Sequence, residues 1–263
     1  MNVASEARPL PNLLPAAGGT AMVTGAASGI GRAVALAFAR AGVNVACVDR
    51  DRSGADETAE AARPDGGGSF ALTADVGRRD DVDAMAQAAL ERLGRIDYLI
   101  NCAGISERWP AEAFPEEAWD RIIDTNLKGV FLCCQVVGRT MIAQGAGRIV
   151  NMSSIAGAIA YEHTVAYLSS KGGLVQLTKG LAVEWGRHGI SVNAIAPGLV
   201  RTPLLDAMLR ENPARGEFFL SRMPISELIA PEDIAAAALF LCSPPARMIT
   251  GHVLPVEGGY LSM

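Results

Sequence analysis

The sequence predicts an α/β domain built on a doubly wound, parallel, seven-stranded sheet with helices on both faces. Three observations lead there. Short strand-like runs alternate with helical patterns along nearly the whole chain. Those runs are almost continuously apolar, which marks strands covered on both sides. No repeat, long linker or second hydrophobic cluster divides the 263 residues, which suffice for one domain with a substantial core.

The elements follow in order. AMVTG (21–25) is a short apolar strand ending in glycine. Residues 30–41 carry apolar side chains at helical spacing, and Gly42 stops that helix. VNVACVD (43–49) and SFALTADV (69–76) are the second and third strands. Residues 80–93 form an amphipathic helix closed by Gly94, and IDYLINCAG (96–104) is the fourth strand. Residues 116–144 read as helix, broken near Lys128 and Gly129. GRIVNMSS (147–154) is the fifth strand, residues 165–187 a long helix, and ISVNAIAPG (190–198) the sixth strand. Residues 231–241 are helical, and HVLPVEGG (252–259) is the seventh strand. Residues 1–19, rich in proline and without a cationic-then-apolar signal, read as a flexible lead-in to a domain over 20–263. Residues 201–229 interrupt the alternation with three prolines and polar helical stretches, as a substrate loop or lid does.

Composition narrows the function. The net charge is −5 with both signs dispersed and no Lys/Arg run, so nucleic acid is not an expected partner and small molecules are. No apolar run approaches the roughly 18 residues of a membrane helix. The odd count of five cysteines, without a CxxC pair, reads as buried thiols in a reducing cytoplasm. Three histidines without ligand spacing predict no metal.

The turn TGAASGIG (24–31) joins the first strand to the first helix. Its glycines, Gly25, Gly29 and Gly31, let backbone N–H groups approach a pyrophosphate at a helix N-terminus. Ser28 and Ile30 lie within the same turn. Asp49 closes the second strand, where a carboxylate can accept bonds from an adenosine ribose. Its charge would repel a 2′-phosphate, which favours NAD over NADP, although the adjacent Arg50 could hold that phosphate.

Taken together, these features resemble the short-chain dehydrogenase/reductase family over residues 20–259. TGAASGIG matches its cofactor turn. Asp75 and Val76 stand where the family contacts adenine. NCAG, with Asn101, Ala103 and Gly104, matches NNAG with Cys102 in place of the second Asn. TNLKG carries the family's asparagine at Asn126, IVNMSS its serine at Ser154, and YLSSK its pair Tyr167 and Lys171. PGLVRTP matches the nicotinamide loop, with Pro197, Gly198, Val200 and Thr202. The serine thirteen residues before the tyrosine is Ser154, which leaves Ser153 a structural hydroxyl.

The resemblance implies a Rossmann-like oxidoreductase that transfers a hydride between a nicotinamide and a secondary alcohol or ketone. Tyr167 is its expected acid/base. An ordinary tyrosine has a pKa of about 10, so working near 7 takes roughly 4 kcal/mol of phenolate stabilisation. Lys171, at i+4 on the same helical face, is expected to supply that field and to bind the nicotinamide ribose. Ser154 would hold the substrate oxygen, and Asn126 a water that relays the proton outward. Residues 105–110, 158–164 and 203–223 are expected around the substrate. The run from Ser169 to Gly198 is most similar to sugar, sugar-acid and polyol dehydrogenases of the family. A 3-oxoacyl-thioester reductase is the alternative enzyme, disfavoured by Asp49 and by the lack of a basic patch. A non-catalytic NAD-binding regulator is disfavoured because all four catalytic positions are filled. A homotetramer built on the two long helices is expected.

Overall fold

The computed structural model describes residues 14–63, 68–211 and 213–263. Most of the expected N-terminal lead-in lies outside them. The strands are β1 (Thr20–Thr24), β2 (Asn44–Asp49), β3 (Phe70–Thr73), β4 (Tyr98–Asn101), β5 (Gly147–Met152), β6 (Ile190–Pro197) and β7 (Val253–Val256). All pair in parallel, in the order β3-β2-β1-β4-β5-β6-β7. Val23 sits between Cys47 and Ile100, so β1 is central and the winding reverses between β1 and β4. In such sheets the crevice beyond the carboxyl ends at the reversal receives ligands.

Neighbouring strand residues feed opposite cores. Ala21, Val23, Val45, Cys47 and Ile100 pack on the side of α1 (Gly29–Arg40), α2 (Arg52–Ala61) and α9 (Pro231–Cys242). Met22, Ala46, Val48, Leu99 and Ile149 pack on the side of α3 (Arg79–Leu93), α5 (Gly129–Gln144) and α6 (Val165–Trp185). Both faces are therefore dry, which is why the strands lack a polar alternation. The thiols of Cys47, Cys133, Cys134 and Cys242 are buried within these layers.

The structure adds to the expected elements in three places. First, α2 was not anticipated. Its sequence, RSGADETAEA, buries only Ala55, Thr58 and Ala59, too small a stripe to stand out against its polar residues. Asp51 caps it by accepting the Gly54 N–H at 3.3 Å. Second, the expected break in the long helix is a π-turn, Asp124–Lys128, between α4 (Glu116–Ile123) and α5. The extra residue turns Asn126 inward, where it is fully buried. Glycine is needed at 129, because a Cβ there would lie 2.9 Å from Cγ2 of Val76. Third, residues 201–229 contain two helices, α7 (Pro203–Glu211) and α8 (Pro213–Ser221).

A polar thread crosses the core beneath the crevice. Asn101 donates to Oδ1 of Asn151 at 2.9 Å, and Asn151 donates to Oγ1 of Thr178 at 3.0 Å. It ties β4 to β5 and β5 to α6, and all three residues are buried. Asn151→Ala leaves the Asn101 amide without that acceptor, and should lower unfolding stability by about 2 kcal/mol in urea titrations.

Candidate active site

The first part of the crevice is the turn between β1 and α1. Gly25 and Gly29 have φ of +70° and +52°, which side-chain-bearing residues rarely adopt. A Cβ on Gly25 would lie 2.7 Å from the amide nitrogen of Ala103, and one on Gly31 would collide with the Gly25 carbonyl. The backbone is thus brought close at this point. Ser28 makes no side-chain cap, and α1 has no acidic residue in its first turn. Its leading N–H groups and positive dipole end face the groove.

Asp49 forms the far rim. One carboxylate oxygen accepts the Ala27 N–H and the other the Asp51 N–H, both at 3.0 Å. These bonds fix the carboxylate against the glycine turn. Asp75 and Val76 line the same groove of about 290 Å³, as do Ser28, Ile30 and Arg50. The Asp75 carboxylate is braced by the Gly77 N–H at 2.9 Å. Ala103 and Gly104 close the groove on the β4 side, where Thr24 accepts the Ala103 N–H at 3.3 Å. Asn101 departs from expectation. It is 1% exposed and turned into the polar thread below the sheet end, so its side chain supports the floor and does not line the groove.

A second cavity of about 510 Å³ continues from the groove and shares Cys102, Gly104, Thr202 and Leu204 with it. Ser154, Tyr167 and Lys171 form one wall, and Pro197, Gly198 and Val200 another. Leu205, Met208 and Phe219, from α7 and α8, close the side away from the sheet. These are apolar residues of the 201–229 segment.

Lys171 is 5% exposed, and its ammonium donates to the Met152 carbonyl at 2.7 Å. Burial lowers its pKa to about 8, against a smaller upward pull from Cys102. The ammonium lies over the face of the Tyr167 ring, 5.6 Å from its centre. Burial pushes the Tyr167 phenol above its ordinary value, while hydrogen bonding with Ser154 and the charge of Arg108 pull it down. Ser154 and Arg108 are thus acidifying influences that the i+4 spacing did not reveal. The i+4 spacing put the ammonium on the right face, but the Met152 carbonyl at the end of β5 captures it. No sequence signal points to a main-chain acceptor, nor to a field from Arg108, fifty-nine residues away in the chain.

Ser154 also accepts the Ala156 N–H at 3.1 Å, which orients its hydroxyl at the cavity wall. Ser153 is buried and donates to the Lys171 carbonyl at 3.3 Å, a structural contact. Asn126 lies behind Lys171. Its amide accepts the Ile105 N–H at 2.8 Å and donates to the Ile105 carbonyl at 2.9 Å and to Ser170 at 3.2 Å. Cys102 lines both cavities, and burial raises its thiol to about 12, so it is not a thiolate near neutrality.

The crevice fits a dinucleotide. A cradle that any Cβ would block, an open helix start for a pyrophosphate and a braced carboxylate for a ribose lie in sequence along one groove. The adjoining cavity joins a phenol, a hydroxyl and an ammonium where an alcohol or carbonyl oxygen can be held.

Known proteins with this combination are close in sequence and shape. The family model described as enoyl-(acyl carrier protein) reductase matches residues 25–261. A D-threitol dehydrogenase of Mycolicibacterium smegmatis is 43% identical over 92% of this chain and 93% of its own. The 3-oxoacyl-[acyl-carrier-protein] reductase FabG of Staphylococcus aureus is 39% identical over 91% of this chain and 97% of its own. A crystal structure from Beutenbergia cavernae, described as a candidate NAD(P)-dependent gluconate 5-dehydrogenase with NADP at low occupancy, superposes with a TM-score of 0.89. It is 38% identical and covers 95% of this chain and 99% of its own. A parallel sheet wound about a glycine turn, a Ser–Tyr–Lys wall beside it, and relatives aligned over nine-tenths of the chain lead to one assignment: this chain belongs to the short-chain dehydrogenase/reductase family, oxidoreductases that act on CH–OH and carbonyl groups with a nicotinamide cofactor.

Proposed function

We propose that the protein is an NAD-preferring dehydrogenase of a polyol, sugar or sugar acid, with Ser154, Tyr167, Lys171 and Asn126 as its catalytic set. The observation that carries this reading is the single wall of Ser154, Tyr167 and Lys171 beside a groove rimmed by the Asp49 carboxylate. Gly25, Ser28, Gly29, Ile30 and Gly31 would hold the pyrophosphate. Asp75 and Val76 would flank the adenine, and Ala103, Gly104, Pro197, Gly198, Val200 and Thr202 the nicotinamide half. Asn101 contributes from below, by anchoring the end of β4.

The nicotinamide supplies a hydride donor or acceptor when bound. The chain's own residues handle the proton. Tyr167 exchanges it with the substrate oxygen, and Ser154 bonds that oxygen and offsets charge developing on it. A phenol raised by burial is protonated at neutral pH, ready to give its proton to a carbonyl. Abstraction from an alcohol needs the phenolate, which positive charge nearby stabilises. Lys171 carries such a charge over the ring face and is placed to meet a ribose hydroxyl from the Gly104 side, where its Nζ lies 3.6 Å from a Cβ built at that glycine. Asn126 holds the Ile105 segment beside Lys171 and is assigned the inner end of a proton path to solvent.

NAD is favoured by the Asp49 charge, which repels a 2′-phosphate. The polyol class is supported by the D-threitol relative at 43% identity. Reduction of a 3-oxoacyl thioester is the second reading, favoured by the FabG relative at 39%. It is placed behind because Asp49 opposes NADPH and the sequence has no Lys/Arg run to dock an acidic carrier. A catalytically silent regulator is opposed by the complete set of four residues. We further assign α7 and α8 as a lid over the cavity. A homotetramer through α5 and α6 is supported by Gly172 and Gly180, beyond whose Cβ positions space is open, and by Val183, 84% exposed.

A panel of polyols, sugar acids, secondary alcohols and hydroxyacyl thioesters, followed by NADH absorbance, tests the substrate class. Polyols or sugar acids should rank first, and a thioester ranking first would reverse the two readings. Tyr167→Phe should keep NAD affinity by titration calorimetry while turnover falls at least about a hundredfold. Asp49→Asn should raise the NADP/NAD ratio of kcat/KM by about tenfold or more, since it removes the repulsive charge but keeps the shape. Lys171 gives a pH signature. Between about 8 and its ordinary 10.5, the folded chain has released a proton that the unfolded chain still holds. Stability from this group therefore rises with pH in that window. Relative to Lys171→Met, the wild type should gain in melting temperature from pH 8 to 10.

A further inference from the structure

Tyr161 stands opposite the catalytic wall and has no task in the scheme above. It precedes Tyr167 by six residues, in the loop between β5 and α6, and lines the same 510 Å³ cavity. Its main chain is fixed, because Thr164 donates to the Tyr161 carbonyl at 2.9 Å. Its ring is fixed as well, packed edge-on against Phe219 of α8 with 5.0 Å between centroids. Phe219 in turn meets Tyr260 at 5.8 Å. Side chain and loop are thus held by two independent contacts, neither of which uses the hydroxyl.

That hydroxyl is buried and has no hydrogen-bond partner among the described residues. An unpaired buried hydroxyl costs about 1–3 kcal/mol, and a phenylalanine would keep the ring contacts without that cost. Burial also pushes the phenol upward, with Tyr260 and Tyr167 adding to the shift, so it stays a neutral O–H at working pH. A group of this kind is a donor kept in reserve for a ligand. The residue lines the cavity while its oxygen is itself buried, so a ligand reaches that oxygen by displacing part of the surrounding wall.

We propose that Tyr161 determines specificity: its hydroxyl bonds an oxygen of the substrate remote from the reacting carbon, so that the cavity selects molecules with a second polar group. This rests on the dehydrogenase reading of the same cavity and extends it. A site built to pair a substrate hydroxyl rejects analogues that lack it, because its own polar group is then left unpaired.

The test compares wild type with Tyr161→Phe on two substrates: the best member of the panel, with D-threitol as the first choice, and its analogue lacking the remote oxygen, butane-1,2,3-triol for D-threitol. In wild type the first should be preferred. In Tyr161→Phe the ratio of the two kcat/KM values should collapse at least tenfold, mainly through KM for the oxygen-rich substrate. The variant's melting temperature should be unchanged or higher. An unchanged ratio overturns the proposal, and so does a lower melting temperature, which would mean the hydroxyl serves the fold. If the panel's best substrate is not a polyol, sugar or sugar acid, the class assignment above fails on wild-type data alone. The same ratio, taken with that substrate and its analogue, still decides the role of Tyr161.

Discussion

The bond from the Lys171 ammonium to the Met152 carbonyl, 2.7 Å long and buried, organises the rest of the site. It pins the start of α6 to the end of β5. Ser153 reinforces the joint by donating to the Lys171 carbonyl. With the helix fixed there, Tyr167 stands one turn nearer the N-terminus and over the cavity, and Ser154 faces it from the strand end. The cost is a cation in a poorly hydrated place, visible in the depressed Lys171 pKa of about 8. A charge held under strain of this kind is ready to interact with whatever polar group enters the crevice.

The second constraint is topological. The reversal of strand order between β1 and β4 opens a crevice, and the glycine turn closes one side of it only because Gly25 approaches the Ala103 amide so closely. The same end of the sheet receives the π-turn, which delivers Asn126 to the Ile105 backbone behind Lys171. Cofactor groove and chemical wall therefore meet without a hinge between them. The α7–α8 segment lines the cavity with the apolar side chains of Leu205, Met208 and Phe219.

On the proposed reading, the acid/base behaviour of Tyr167 comes from several opposing influences. Burial raises the phenol, and Ser154 and Arg108 lower it. A neutral phenol suits reduction, and positive charge arriving with the oxidised cofactor would favour the phenolate that oxidation needs.

Much of this was legible along the chain. Apolar runs separated by helical patterns, glycines at a strand–helix junction, a carboxylate at the next strand end and an i+4 Tyr–Lys pair are local signals, set by backbone sterics and helical periodicity. They were enough to determine the sheet, the groove and the wall of Ser154, Tyr167 and Lys171. α2 escaped because its buried stripe is alanine and threonine, and Asn101 was assigned to the groove although its side chain joins Asn151 beneath it. What tertiary structure alone decided were the relations between distant segments: Met152 as the lysine's partner, Arg108 as a field on Tyr167, and Phe219 as the ring against Tyr161. Those depend on which strand ends and loops are brought together when both faces of the sheet are covered, and no spacing within one segment encodes that.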